Sequence, residues 1–186
     1  MKNISLIGKG GFAREIYYHL NNNYNVKIVN EVEYNLNNIK NNFFLICIGD
    51  VNKRNEIYNK YNNLNYFTYI HNKKYILDKN NKIGKGSIIC KGTILTTNIT
   101  LGMHCHINLN STIGHDVNIG DFVTCSPGVN ISGNCNIGNN VLIGTNSSIR
   151  EYTKICNNVV IGMGSVVLKD ITEEGIYVGN PAKKIK

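Results

Sequence analysis

From Ile83 onward an aliphatic residue recurs at every sixth position, and few folds can use such a period. The series runs Ile83, Ile89, Leu95, Leu101, Ile107, Ile113 and Ile119; Cys125 takes one turn, and Ile131, Ile137, Ile143, Ile149, Ile155, Ile161 and Val167 continue it. Four residues after each comes a small or β-branched side chain, as at Ser87, Thr93, Cys105, Ser111, Val123, Cys135 and Ser165. An amphipathic helix repeats every 3.6 residues and a half-buried strand every two, so neither explains a six. A fixed period without insertions is the signature of a solenoid.

Each hexad reads as one short flat strand plus a corner. The aliphatic residue fills the interior, and the fourth-following residue must be small because it also points into a narrow prism. Three hexads close one triangular coil, so residues 18 apart stack at about 4.8 Å, the spacing of neighbouring strands. No coil buries its apolar face alone, which forces the repeats to stack. Ile83 to Val167 supplies not quite five coils.

The front of the chain follows another rule. Ile4–Ile7 reads as a buried strand, then a glycine turn from Gly8, then a helix from Ala13 to about Leu20. Strands are expected at Val26–Val29, Phe43–Ile48 and Tyr66–Ile70, and a helix at Arg54–Tyr61. Strands alternating with helices predict a small parallel α/β sheet. The expected organisation is a small α/β domain over residues 1–75 and a β-helix over 76–186, with the junction in the polar stretch His71 to Lys82.

Composition narrows the partners. The formal charge of +8 is spread along the chain with no dense Arg/Lys run, which suits small anionic ligands better than nucleic acid. Abundant asparagine and lysine read as coding bias. The apolar run after Lys2 stops at Gly8, so neither a secretory segment nor a membrane span is expected. Six cysteines without a CxxC pair predict a reduced, cytoplasmic protein.

Several residues carry candidate chemistry. Gly8-x-Gly10-x-x-Ala13 follows a strand and opens a helix, the context in which glycines let backbone approach a phosphate. A plain tight turn would give the same pattern. A domain of about 75 residues suits a mononucleotide or sugar nucleotide better than a full dinucleotide. His115 lies two residues past the buried Ile113 and should project outward, free to take a proton, with Asp116 beside it to orient the ring. Gly133, one coil on, should stack against His115 and offer an amide to a developing oxyanion. His104 and His106 flank Cys105, so strand alternation predicts that both point outward; no third ligand is evident for a metal, and none is expected. Cys105, Cys125 and Cys135 occupy inward positions and read as small hydrophobes, not acyl carriers. The tail Tyr177 to Lys184 ends in two cations and reads either as a solvated cap or as a wall for an anionic ligand.

Together the glycine turn, Ile46-Cys47-Ile48-Gly49-Asp50 with Arg54, Ile70-His71, the hexads with Gly114-His115-Asp116, and Val178-Gly179-Asn180-Pro181-Ala182-Lys183 resemble the sugar O-/N-acetyltransferases of the sialic-acid / UDP-4-amino-sugar acetyltransferase family. That resemblance covers nearly the whole chain. It implies a Rossmann-like α/β front domain, a left-handed parallel β-helix, a homotrimer, and acetyl-CoA bound between neighbouring helices. It makes His115 the general base, Asp116 its acidic partner, Asn108 a supporting polar residue and Gly133 the oxyanion amide. Thr145 and Met163 fall where the pantetheine arm lies, Gly162 beside them, and Thr124 near the acetyl group, where the family often has histidine. Pro181 and Lys183 belong to the adenine and 3′-phosphate wall. For the nucleotide, Gly10, Gly11 and Phe12 match the phosphate turn, and Gly49 and Arg54 the end of the third strand. Asn30-Glu31 replaces the two consecutive acids of the family, so UDP, dTDP and GDP all stay open.

The expected function is acetyl-CoA-dependent N-acetylation of the 4-amino group of a UDP- or dTDP-linked amino-deoxysugar for glycan assembly. The nearest alternative is O-acetylation of sialic acid or a related sugar. A β-helix carbonic anhydrase, which needs three zinc histidines, and a non-enzymatic scaffold are more distant alternatives.

Overall fold

The computed structural model describes residues 1–30, 36–39 and 42–186, and Glu31 lies outside them. Two compact units emerge, Met1–Thr68 and Tyr69–Lys186.

In the first unit, strands β1 (Asn3–Ile7), β2 (Asn25–Val29) and β3 (Phe43–Ile46) form one parallel sheet in the order β2-β1-β3. Helices α1 (Gly11–Leu20) and α2 (Val51–Lys60) follow β1 and β3. The central strand carries the longest buried run, Ile4 to Ile7, as a strand flanked on both sides should. Helix α1 buries Ala13, Ile16 and Leu20, a stripe at helical spacing. Asp50 caps α2 by accepting the Lys53 N–H at 2.8 Å. Helix α1 starts two residues earlier than expected, so Gly11 is its first residue and Gly10 its N-cap.

The expected fourth strand of this unit, Tyr66–Ile70, is corrected. Tyr66 joins Phe44 through an isolated bridge and starts no strand. Tyr69–Ile70 instead pairs in parallel with Ile88–Ile89 and opens the second unit, so that unit begins ahead of residue 76.

The second unit is a parallel β-helix. Strands of mostly two residues build three faces, and each strand pairs with its equivalent one coil away, as in Ile113 with Leu95 and Ile131. The repeat residues from Leu95 to Val167 are all at most 4 % exposed, and so is every fourth-following residue from Ser87 to Ser165. Most of the polar inward residues find a carbonyl. Ser87, Thr93, Ser111 and Ser147 donate to the oxygens of Gly102, Asn108, Ser126 and Gly162 at 2.8–3.2 Å. The Cys105 and Cys135 thiols do the same to Gly120 and Arg150, both at 3.0 Å. A small side chain with one donor therefore fits the prism without an unsatisfied group.

The coils also extend past the regular series. Ile70 pairs with Ile89 and Ile76 with Leu95, one residue longer than the later spacing, because an extra residue intervenes before Ile83. At the other end Gly175–Val178 pairs in parallel with Val159–Ile161, and Lys183–Lys184 folds back antiparallel on it. The tail is thus part of the sheet.

Three residues after every aliphatic position, from Gly86 to Gly164, the backbone is left-handed with φ between 52 and 76°. Six of these corners are asparagine: Asn98, Asn110, Asn134, Asn140, Asn146 and Asn158. Asparagine tolerates this region far better than most residues. Its abundance, read above as coding bias, is in part a requirement of the fold.

One glycine column is explained by contact. A Cβ on Gly138 would lie 2.8 Å from the Cys156 carbonyl carbon and 2.8 Å from the Asn157 nitrogen. It would also crowd the Asn157 side chain, which accepts the Asn139 N–H at 2.7 Å. Gly138→Ala is therefore expected to destabilise the β-helix by about 1–3 kcal/mol, read by denaturant unfolding. Gly49→Ala, with nothing within 4 Å of the added carbon, should leave the midpoint unchanged.

Candidate active site

His115 and Asp116 occupy one corner of the β-helix. The corner turns because Asp116 adopts φ 59°, with its N–H bonded to the Thr97 carbonyl at 3.0 Å. That turn leaves both side chains outside the prism, with 59 % of His115 and 43 % of Asp116 exposed. Nδ1 of His115 lies 2.8 Å from Oδ2 of Asp116. The other oxygen, Oδ1, accepts the Asn98 side-chain amide at 2.6 Å. The Asn98 bond, with that from His115 second, holds the Asp116 carboxyl below its ordinary value. An ionised carboxylate only accepts, so Nδ1 carries the proton and Nε2 presents its lone pair.

Gly133 lies against that ring. A Cβ built on it would fall 2.7 Å from both Cε1 and Nε2 of His115. Among the described residues its N–H donates to no partner. The corner therefore places a basic nitrogen and an available amide donor side by side, the two groups that acyl transfer to an amine needs.

Other expected residues lie elsewhere on the β-helix. Asn108 is half-buried and donates to the Cys125 carbonyl at 2.9 Å, with no hydrogen bond to His115. Thr124 is buried between His106 and Leu142 in its sheet. Thr145 and Met163 are exposed on equivalent corners, Met163 at 81 %. Gly162 is demanded by the tail, since a Cβ there would lie 2.7 Å from Val178 Cγ1. Pro181 and Lys183 line a cavity of about 380 Å³ with Leu168, Tyr177 and Ala182. Lys184, by contrast, is bound to Glu173 at 2.9 Å.

His104 and His106 do not point into solvent as alternation predicted; both are fully buried. The strand begins only at His106, and His104 sits on a left-handed corner with φ 52°. Its ring stacks on Phe122, centroids 5.4 Å apart and planes 6° apart. Among the described residues no group of three His, Cys, Asp or Glu side chains is placed to hold a metal. Burial pushes the Cys125 thiol up, with Cys105 adding to it, and burial raises Cys135 as well. Neither is a thiolate at neutral pH, which argues against a covalent acyl-enzyme.

In the first unit Gly8 carries the strained turn, with φ 126° and its N–H on the Val29 carbonyl at 2.9 Å. A Cβ there would meet Ile48 at 2.9 Å. Gly10, Gly11 and Gly49 instead face open space, with nothing nearer than Arg14 at 3.8 Å from Gly11. Phe12, next in α1, and Asn30, just after β2, are half-buried. Arg54 is fully buried and donates to the Ile48 and Gly49 carbonyls at 2.7 and 3.2 Å, so it shapes the turn after β3 from within.

Residues 134–169 match the bacterial transferase hexapeptide family of six repeats. Among curated proteins no sequence relative matches. Solved structures match over the whole length. The acetyltransferase domain of PglB from Neisseria gonorrhoeae FA1090 is 23% identical with TM-score 0.89, covering 100% of both chains. A mutant of perosamine N-acetyltransferase from Caulobacter crescentus, in complex with CoA and GDP-perosamine, is 19% identical with TM-score 0.90, covering 99% of this chain and 97% of that one. WeeI from Acinetobacter baumannii AYE is 24% identical with TM-score 0.83, covering 98% and 99%. The chain shares the fold of these proteins over nearly its whole length, with hexapeptide repeats in its second unit.

Proposed function

We propose that this chain is an acetyl-CoA-dependent N-acetyltransferase acting on the amino group of a nucleotide-linked amino-deoxysugar. The carrying observation is the corner where Asp116 holds His115 with Nε2 against Gly133. The fold shared with a structure holding CoA and GDP-perosamine supports the substrate class. On this reading the β-helix is left-handed and trimeric, and the first unit is a Rossmann-like holder for the nucleotide. Its open Gly10–Gly11 turn supports phosphate approach. Lys183 and Pro181 would hold the adenosine end of the donor, and Thr145 and Met163 the pantetheine arm. A cytoplasmic location fits both substrates, and no described helix is long and apolar enough to cross a membrane.

The chemistry follows from the corner. As the amine nitrogen bonds to the thioester carbonyl carbon, His115 Nε2 takes its proton while Asp116 balances the imidazolium. The Gly133 N–H donates to the carbonyl oxygen as charge gathers there, and the C–S bond then breaks. The imidazolium returns the proton to the departing thiolate, and no protein nucleophile is consumed.

The test is a panel of UDP-, dTDP- and GDP-linked 4-amino sugars with free sialic acid, each given acetyl-CoA, with thiol release and product mass as readouts. One nucleotide amino sugar should gain an acetyl group, with intersecting initial-rate lines. Acetylation confined to sialic acid, or parallel lines with acetyl label retained on the denatured protein, would overturn the reading.

A further inference from the structure

We propose that Asn98 is a positioning residue for His115, acting through Asp116 from the preceding coil. The inference rests on the reading of His115 as the base, and extends the machinery by one residue. The Asp116 carboxylate has two oxygens and two partners: His115 Nδ1 at 2.8 Å and the Asn98 amide at 2.6 Å. Both Asp116 and His115 are substantially exposed, so packing alone does not fix the carboxylate plane. A donor on Oδ1 does. It stops the carboxylate rotating away and leaves Oδ2 aimed at the ring. Asn98 is itself fixed from behind. Asp78 Oδ2 accepts the Asn98 N–H at 3.3 Å and the Thr97 hydroxyl at 2.7 Å, while Oδ1 accepts the Asn80 N–H at 2.8 Å. The Thr97 carbonyl receives the Asp116 N–H. Backbone and side chain of the acid are thus both set by the Thr97–Asn98 pair.

The same bond weighs on the ionisation of Asp116, where Asn98 is the first cause of the lowered carboxyl. A carboxylate that stays charged and stationary keeps the neutral imidazole in the Nδ1–H tautomer. Free imidazole side chains favour the other one. Holding the wrong tautomer disables a histidine base even when its geometry is kept.

Asn98 also forms a left-handed corner, φ 53°, so a structural role must be separated from a donor role. Glycine serves the same corner at Gly86, Gly92, Gly128 and Gly164, and aspartate serves it at Asp116. Asn98→Gly and Asn98→Asp should therefore both fold. A purely structural role would be satisfied by either variant. The donor role predicts that Asn98→Gly lowers kcat about 10-fold, as loss of a group that orients a functional side chain commonly does. Asn98→Asp, which sets carboxylate against carboxylate, should lose more. KM for acetyl-CoA should stay unchanged in both, and Asn140→Gly, a corner away from His115, should match the wild type. Nitrogen NMR of the neutral His115 ring is the second readout. The wild type should show the proton on Nδ1, and both variants should shift toward Nε2–H. Wild-type kcat and an unmoved tautomer in Asn98→Asp would overturn the proposal. If the wild type acetylates no amino sugar, that failure falls on the activity reading, and the nitrogen spectrum still decides the role of Asn98.

Discussion

His115→Ala is expected to lower kcat by on the order of 10²-fold or more while the fold and the affinity for acetyl-CoA persist. The side chain is 59 % exposed and its ring makes no packing contribution to the prism, which is filled by Ile113 and Val117 instead. Removing it therefore takes away the proposed proton acceptor without opening a cavity. An interaction made mainly in the transition state shows as equal falls in kcat and kcat/KM. Steady-state kinetics on folded variant, with unfolding curves as the control, measure this. Turnover within a few-fold of wild type would remove His115 from the reaction and leave the corner without a base.

The separability of activity from stability here comes from the architecture. Inward positions are fixed by packing, whereas the corners project side chains that the prism does not need. The hexad phase makes the division legible in the sequence. An aliphatic residue and a small residue four places on are local signals, so Ile83 to Val167 could be assigned without structure. The same phase places a left-handed corner three residues after each aliphatic. Asn98, Asn110, Asn134, Asn140, Asn146 and Asn158 all fall there, and treating asparagine as bias hid a conformational requirement. His104 shares that phase, which is why strand alternation misplaced it: the residue belongs to a corner and ends stacked on Phe122.

The first coil was not legible for a related reason. One extra residue before Ile83 shifts Ile70 and Ile76 out of step, and Tyr66–Ile70 then resembles a strand of the preceding sheet. Only the pairing of Tyr69 with Ile88 reveals its place. In the site, stacking forward by one coil joined His115 to Gly133. Stacking backward by the same step from Asp116 reaches Asn98, a partner the sequence also contains. Asn108 lay within reach of neither step and bonds to Cys125 instead. Burial of Arg54 could not be read from a polar helix, because its partners are carbonyls of the turn it supports.

Gly133→Ala should cost activity far more than stability. The added Cβ would stand 2.7 Å from Cε1 and Nε2 of His115 and 3.1 Å from Cδ2, closer than carbon contacts allow. What it meets is the end of an exposed side chain, not backbone, so the ring can swing away at small conformational cost. Gly133 is not among the residues with left-handed φ, and alanine adds no backbone strain there. The unfolding midpoint should accordingly stay close to wild type, unlike that of Gly138→Ala, where the obstacle is the next coil's main chain. Swinging the ring breaks the 2.8 Å contact with Asp116 and moves Nε2 off its mark. A methyl group would also stand beside the amide proposed to donate to the oxyanion. Misplacement by about 1 Å can cost about 10²-fold, and loss of one oxyanion donor costs about 10²–10³-fold. A fall in kcat of at least 10²-fold is therefore expected, with the His115 nitrogen signals displaced from those of the wild type. Wild-type turnover with an unmoved ring would show that neither the amide of Gly133 nor its bare Cα is needed for transfer.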